Sequence, residues 1–161
     1  MKDETYASTS LMRSIVQATL AAATLDIASA FAYGWLEGHP PIVILVGIAS
    51  AVWPDARHAP VAAAFIGLLV HVAIMLVMVV VFALMARRLK WPQAHPVCSG
   101  CLYGLFLWAA MNLVVLPWRW PAIFPHFTAL TLAEQWFSHI VLVGVPIAWL
   151  TRPGADARGV E

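Results

Sequence analysis

Four stretches of about twenty apolar residues, joined by short polar segments, constrain this chain more than any other feature of it. A helix rises about 1.5 Å per residue, so ~20 apolar residues are what it needs to cross ~30 Å of hydrocarbon. The stretches cover about 15–35, 60–86, 97–116 and 130–150. Charged residues make up 11% of the 161, against roughly 25% in a soluble domain. That is too few to coat a water-facing surface, which excludes a soluble globular enzyme. The formal net charge of +1 argues against nucleic acid as a partner, since phosphate contacts need clustered Lys and Arg. The expected fold is an all-α membrane protein, one integral domain over 1–161. It has four transmembrane helices in a bundle, with polar termini at 1–12 and 153–161.

A fifth apolar run, Pro41 to Trp53, is too short to span. Pro40 and Pro41 fix its start and Pro54 follows its end. It reads as a short interfacial or re-entrant helix at about 41–53. The basic residues give its side. Lys2, Arg13, Arg87, Arg88, Lys90, Arg152 and Arg158 fall at one end of the four spans, and Arg57 and Arg119 at the other. The positive-inside rule then puts both termini in the cytoplasm and the short helix on the periplasmic side. Trp35, Trp53, Trp118 and Trp120 cluster at the outer boundary and Trp91 and Trp149 at the inner one, as amphipathic indoles favour. Trp108 and Trp136 fall within spans as packing residues. A cleaved signal peptide ending at Ala28-Ser29-Ala30 is the rival reading of the first span. Asp3, Glu4 and Asp26 argue against it.

Ionisable groups near the bilayer centre cost several kcal/mol unless paired or hydrated, which makes them functional candidates. Asp26 lies roughly 13 Å below the outer boundary, His71 roughly 16 Å and His139 roughly 13 Å, by the helical rise. Three helices therefore bring an ionisable side chain to one level. Asn112 lies nearer the outer boundary, and Glu134 is similarly shallow, placed to gate the cluster from the periplasm. Asp26 shares a helix stripe with Thr19, Ala22, Ser29, Ala30 and Tyr33, and His71 with Ala64 and Gly67. Gly100 and Gly104 form a small-xxx-small step, continued by Asn112, that admits a close helix neighbour in the monomer or in an oligomer. The expected buried polar cluster is Asp26, His71, Asn112 and His139.

Three kinds of chemistry fit such a cluster. An Asp beside two His relays protons or handles a cation, because imidazole titrates near neutrality. Two imidazoles and a carboxylate, here His71, His139 and Asp26, also suit a divalent metal. Two facing His suit axial ligation of a haem. A plain hydrogen-bonded network that fixes helix register is the remaining alternative, and would make the chain a structural subunit or scaffold. The partners that follow are the lipid bilayer and further copies of the chain or other membrane subunits.

Other features carry less. Cys98 and Cys101 form a C-x-x-C at the cytoplasmic end of the third span, without a thioredoxin-like context or a second cysteine pair for zinc. They read as two small thiols packed in a helix. Polar residues of the outer loops, among them Glu37, His39, Arg119 and His126, could form a vestibule. Met75, Met78 and Met85 read as core filler rather than a copper path. No G-x-S-x-G, Walker loop, H-E-x-x-H or dinucleotide fingerprint is present. Asp26 also lacks the second aspartate of a membrane aspartyl protease. Nothing in the sequence argues for an enzyme.

The chain resembles the small four-span bacterial inner-membrane proteins of the YagU-like group. The matching pieces are ATLDIASA (23–30), VGIASAVW (46–53), GLLVHVAI (67–74), RRL (87–89), PVCSGCLYGLFLWAAMNLVVLP (96–117) and FSHIVLVGVPIAW (137–149). Asp26, His71, Asn112 and His139 all lie within them. The resemblance implies a bacterial plasma-membrane location and a four-helix bundle, and brings no activity, substrate or cofactor.

Overall fold

A computed structural model describes the backbone of residues 2–152 and the side chains of residues 10–152. Lys2 and Arg158, counted in the charge asymmetry, and the polar tail at 153–161 lie outside the described side chains. Four helices are long and apolar enough to cross a membrane: Ser10–Leu36, Pro60–Arg88, Pro96–Arg119 and Ala129–Leu150. No strand occurs among the described residues. The chain is an all-α, multi-pass integral membrane protein.

Helix α1 (Lys2–Leu36) ends where Gly38 takes φ 82°, the left-handed turn that lets the last carbonyls find donors. Glu37 N–H donates to Tyr33 O and Gly38 N–H to Trp35 O. Pro41, at the first helical position, restarts the chain as α2 (Pro41–Ala49). With nine residues, α2 is about 13 Å long by the helical rise and cannot span. A 3-10 turn (Ala56–His58) leads to α3 (Pro60–Arg88), which again opens on proline. Its buried residues Ala63, Gly67, His71, Met75, Val79, Phe82, Ala83 and Ala86 recur every three or four positions and form one inward stripe. Only 33% of its most apolar window is buried within the bundle. Phe65, Leu69 and Val77 are left on the outside, as lipid contact requires.

The short α4 (Lys90–Ala94) turns the chain into the third span, built from α5 (Pro96–Ala109), a π-helical segment (Ala110–Val115) and α6 (Leu116–Arg119). The fourth span is α7 (Ala129–Trp136), a second π-helical segment (Phe137–Gly144) and α8 (Val145–Leu150). Both π segments stop just before a proline, Pro117 and Pro146. A proline has no N–H to give and its ring crowds the carbonyl four residues back, so the wider turn relieves the collision. The expectation from sequence was two uninterrupted helices. Thr128 starts α7 with a reciprocal cap, its hydroxyl accepting from Thr131 N–H at 3.1 Å while Thr131 Oγ1 accepts from Thr128 N–H at 2.9 Å.

Glycine sets how closely these spans approach. A Cβ at Gly100 would meet the backbone of Gly144 and Val145, and one at Gly104 would meet the His139 carbonyl and Ile140. The Gly100/Gly104 step is thus occupied within the monomer, against the fourth span. Gly67 does the same for α2, lying against the Leu45 carbonyl. The core joins Ala18 and Ala22 of α1, Val79 and Phe82 of α3, and Val143 and Ile147 of the fourth span. Tyr103 of α5 stacks obliquely on Phe82 at 4.9 Å and donates its hydroxyl to Met78 O at 2.7 Å. Beyond that level, towards α2, the four spans separate around a cavity.

Candidate functional site

The cavity has a volume of about 790 Å³ and is lined by α1, α2, α3 and both π-containing spans. Asp26, His71, Asn112, Glu134 and His139 all line it. Asp26 comes from α1, one turn before Ser29 and two before Tyr33, which also line it. His71 comes from the inward stripe of α3. Asn112 and His139 each sit on a π segment, where the extra residue per turn re-aims side chains relative to an α-helix.

The hydrogen bonds assign a role to each ring nitrogen. His71 Nε2 lies 3.0 Å from Ala23 O, buried between α1 and α3. A carbonyl oxygen only accepts, so the geometry suits a proton on Nε2 and a lone pair on Nδ1. That Nδ1 is 4.0 Å from Asp26 Oδ2, within ion-pair reach. His71 is nearly sealed, its side chain 8% exposed, whereas that of Asp26 is 19% exposed. His139 Nδ1 donates to Gln135 O at 3.0 Å, which leaves the lone pair to Nε2. Its imidazole lines the same cavity as the Asp26 carboxyl.

Asn112, which lines the cavity, is held by its own helix. Its Nδ2 donates to Trp108 O, one turn back on its own helix, at 3.2 Å. Two hydroxyls that sequence reasoning passed over join α1 to the fourth span, Ser29 Oγ and Ser138 Oγ at 2.8 Å. The signal was present for Ser29, one turn along the Asp26 stripe, while Ser138 gave no periodic sign. Trp108, the other bridge, donates its indole N–H to Gln135 Oε1 at 3.1 Å and packs edge-on against Trp136 at 5.7 Å.

In both His71 and His139 one ring nitrogen is engaged with a backbone carbonyl, an arrangement that also orients metal-ligating imidazoles. Among the described residues no three His, Cys, Asp or Glu side chains lie close enough together to hold a metal ion. Cys98 and Cys101, both free thiols, are not among the residues lining the cavity.

The α2 side of the cavity is closed by Val43, Ile44 and Ile48. Sequence reading placed α2 as an accessory and missed it as a wall. Its position is fixed by Arg119, whose Nε donates to Ala51 O at 3.1 Å and whose terminal nitrogen donates to Ser50 O at 2.5 Å. The guanidinium thereby caps carbonyls just beyond the end of α2, and it also lies 5.1 Å from the Trp120 ring centre. Of the outer-loop residues named for a vestibule, Glu37, His39 and Arg119 line the cavity and His126 does not. Comparison of the chain with protein-family models, curated proteins and solved structures gives no match.

Proposed function

We propose that this chain is a bacterial plasma-membrane protein that moves protons through the Asp26–His71 pair, with both termini in the cytoplasm and the α2 end facing the periplasm. It would be of the same kind as the small four-span proteins of the YagU-like group. The observation that carries the reading is the contact of His71 Nε2 with Ala23 O, which turns Nδ1 toward Asp26. Ala23 O holds the Nε2 proton, so the Nδ1 of His71 and the Asp26 carboxylate face each other as two basic sites 4.0 Å apart. Emptied of a proton, the pair sets a lone pair against a carboxylate in a poorly hydrated interior. With one proton it is either a neutral acid beside an imidazole or an ion pair. These two forms are the beginning and end of a transfer step. His139, with its Nε2 free, is the next acceptor, and Glu134 stands one helical turn further along the same cavity.

The test uses sealed vesicles containing the purified chain, an imposed potassium diffusion potential and a trapped pH dye. The wild type is expected to dissipate a pH gradient faster than protein-free vesicles. Asp26→Asn, which removes one of the two basic sites, is expected to lower that flux at least tenfold with the helical circular-dichroism spectrum unchanged. Flux in Asp26→Asn equal to the wild type overturns the reading.

A further inference from the structure

We infer that the cavity beside the Asp26–His71 pair binds a lipophilic organic cation, with Asp26 as its counter-ion. The inference rests on the proposed reading in taking Asp26 as the site where a positive charge is exchanged.

Volume is the first argument. A file of waters beside the polar side chains, each water occupying ~30 Å³, serves a proton path and fills only part of such a space. The cavity is about 790 Å³, a size that suits organic ligands, whose sites run from about 300 to 1,000 Å³. Much of its wall is Ile44, Ile48, Val70, Ile74, Met75 and Met78, which offer water no partners. An apolar body fits that wall, and flexible Met side chains adapt to its shape.

Charge is the second. Three carboxylates line the cavity, those of Asp26, Glu37 and Glu134, and one fixed cation, Arg119. The Arg119 guanidinium is already committed to Ser50 O and Ala51 O. With His39, His71 and His139 neutral, the surplus is negative, and low-dielectric walls concentrate it. His71 on α3 faces Asp26 at 4.0 Å, and His139 on the fourth span lines the same cavity; neither is a fixed cation. Aromatic faces supply the third argument. Tyr33, Trp118, Trp120 and Phe124 line the same space, and such rings attract a cation through their quadrupoles. An apolar body carrying one positive charge satisfies all three, its charge displacing the proton that the pair otherwise holds.

The probes are tetraphenylphosphonium, a permanent cation, and triphenylphosphine oxide, a neutral molecule of related shape. Each is titrated calorimetrically into the full chain in maltoside micelles at pH 8, against protein-free micelles. The cation is expected to bind at least tenfold more tightly than the oxide. Asp26→Asn should remove that preference while leaving the oxide unchanged, and Asp26→Glu should restore it. Ile74→Trp, which fills the cavity without touching charge, should weaken both probes and guards against misfolding of the Asp26 variants. Equal affinity for the two probes, cation binding by Asp26→Asn equal to the wild type, or indifference to Ile74→Trp overturns the inference. Proton flux in vesicles without cation binding overturns it and leaves the proposed function standing. Charge-selective binding without flux supports it and overturns the proposed function.

Discussion

His71 and Thr19 are both polar, both buried, and bound in opposite ways. The imidazole of His71 has a carbonyl on one side and a carboxylate on the other, so its proton inventory is dictated by neighbours on α1. Thr19, 5% exposed on the same helix, has a hydroxyl with no hydrogen-bond partner among the described residues. A buried polar atom left unpaired costs roughly 1–3 kcal/mol, and removing it removes that cost. Thr19→Val is therefore expected to stabilise the protein, by about 1 kcal/mol, read as a higher midpoint of thermal unfolding in detergent. A lower midpoint would mean that the hydroxyl has a partner in the membrane-embedded protein. Which nitrogen of His71 meets Ala23 O was not legible in the sequence. Helical rise gives the depth of a residue, but the bond to Ala23 O depends on how α1 and α3 are rotated about their axes.

Elements here are held by contact rather than by a drive to leave water, since lipid is as apolar as the helix faces. Gly104 and Gly47 make opposite predictions on that basis. A Cβ at Gly104 would meet backbone of the fourth span, which cannot swing aside as a side chain would, whereas one at Gly47 meets nothing within 4 Å. Gly104→Ala should force α5 from the fourth span and destabilise by about 1–3 kcal/mol. Gly47→Ala, in the interior of α2, should be neutral or stabilising by about 0.5–1 kcal/mol. Denaturant titration followed by tryptophan fluorescence distinguishes them, and equal effects would refute the packing argument. The spans themselves were legible because apolar length is a one-dimensional property. The two π segments were not. Pro117 and Pro146 signal a disturbance, yet a proline can end, kink or widen a helix, and the neighbouring span decides which.

For the molecule as a whole, the two ends of the bundle differ in basic charge. Arg13, Arg87, Arg88, Lys90 and Arg152 belong to the end that carries α4, and Arg57 and Arg119 to the end that carries α2. If the positive-inside rule governs insertion, Asp55→Cys in a Cys98→Ser, Cys101→Ser background is expected to react with a membrane-impermeant maleimide in spheroplasts. Gln93→Cys in the same background should react only after lysis. The reverse pattern would invert the proposed topology. At this scale the sequence was most informative about what the chain is and least about what it encloses. Apolar length gave four crossings and ionisable residues at one depth. The cavity arises because α2 folds back beside α3 at Gly67 and walls off the space that the spans leave open.

That wall is closed by a residue synthesised late. Arg119 caps carbonyls 68 and 69 positions earlier in the chain, and ribosomes add about 5–20 residues per second. The end of α2 therefore emerges several seconds before its capping guanidinium exists. Through that interval Ser50 O and Ala51 O lack this donor, so the α2 wall gains its cap only once the third span has been made.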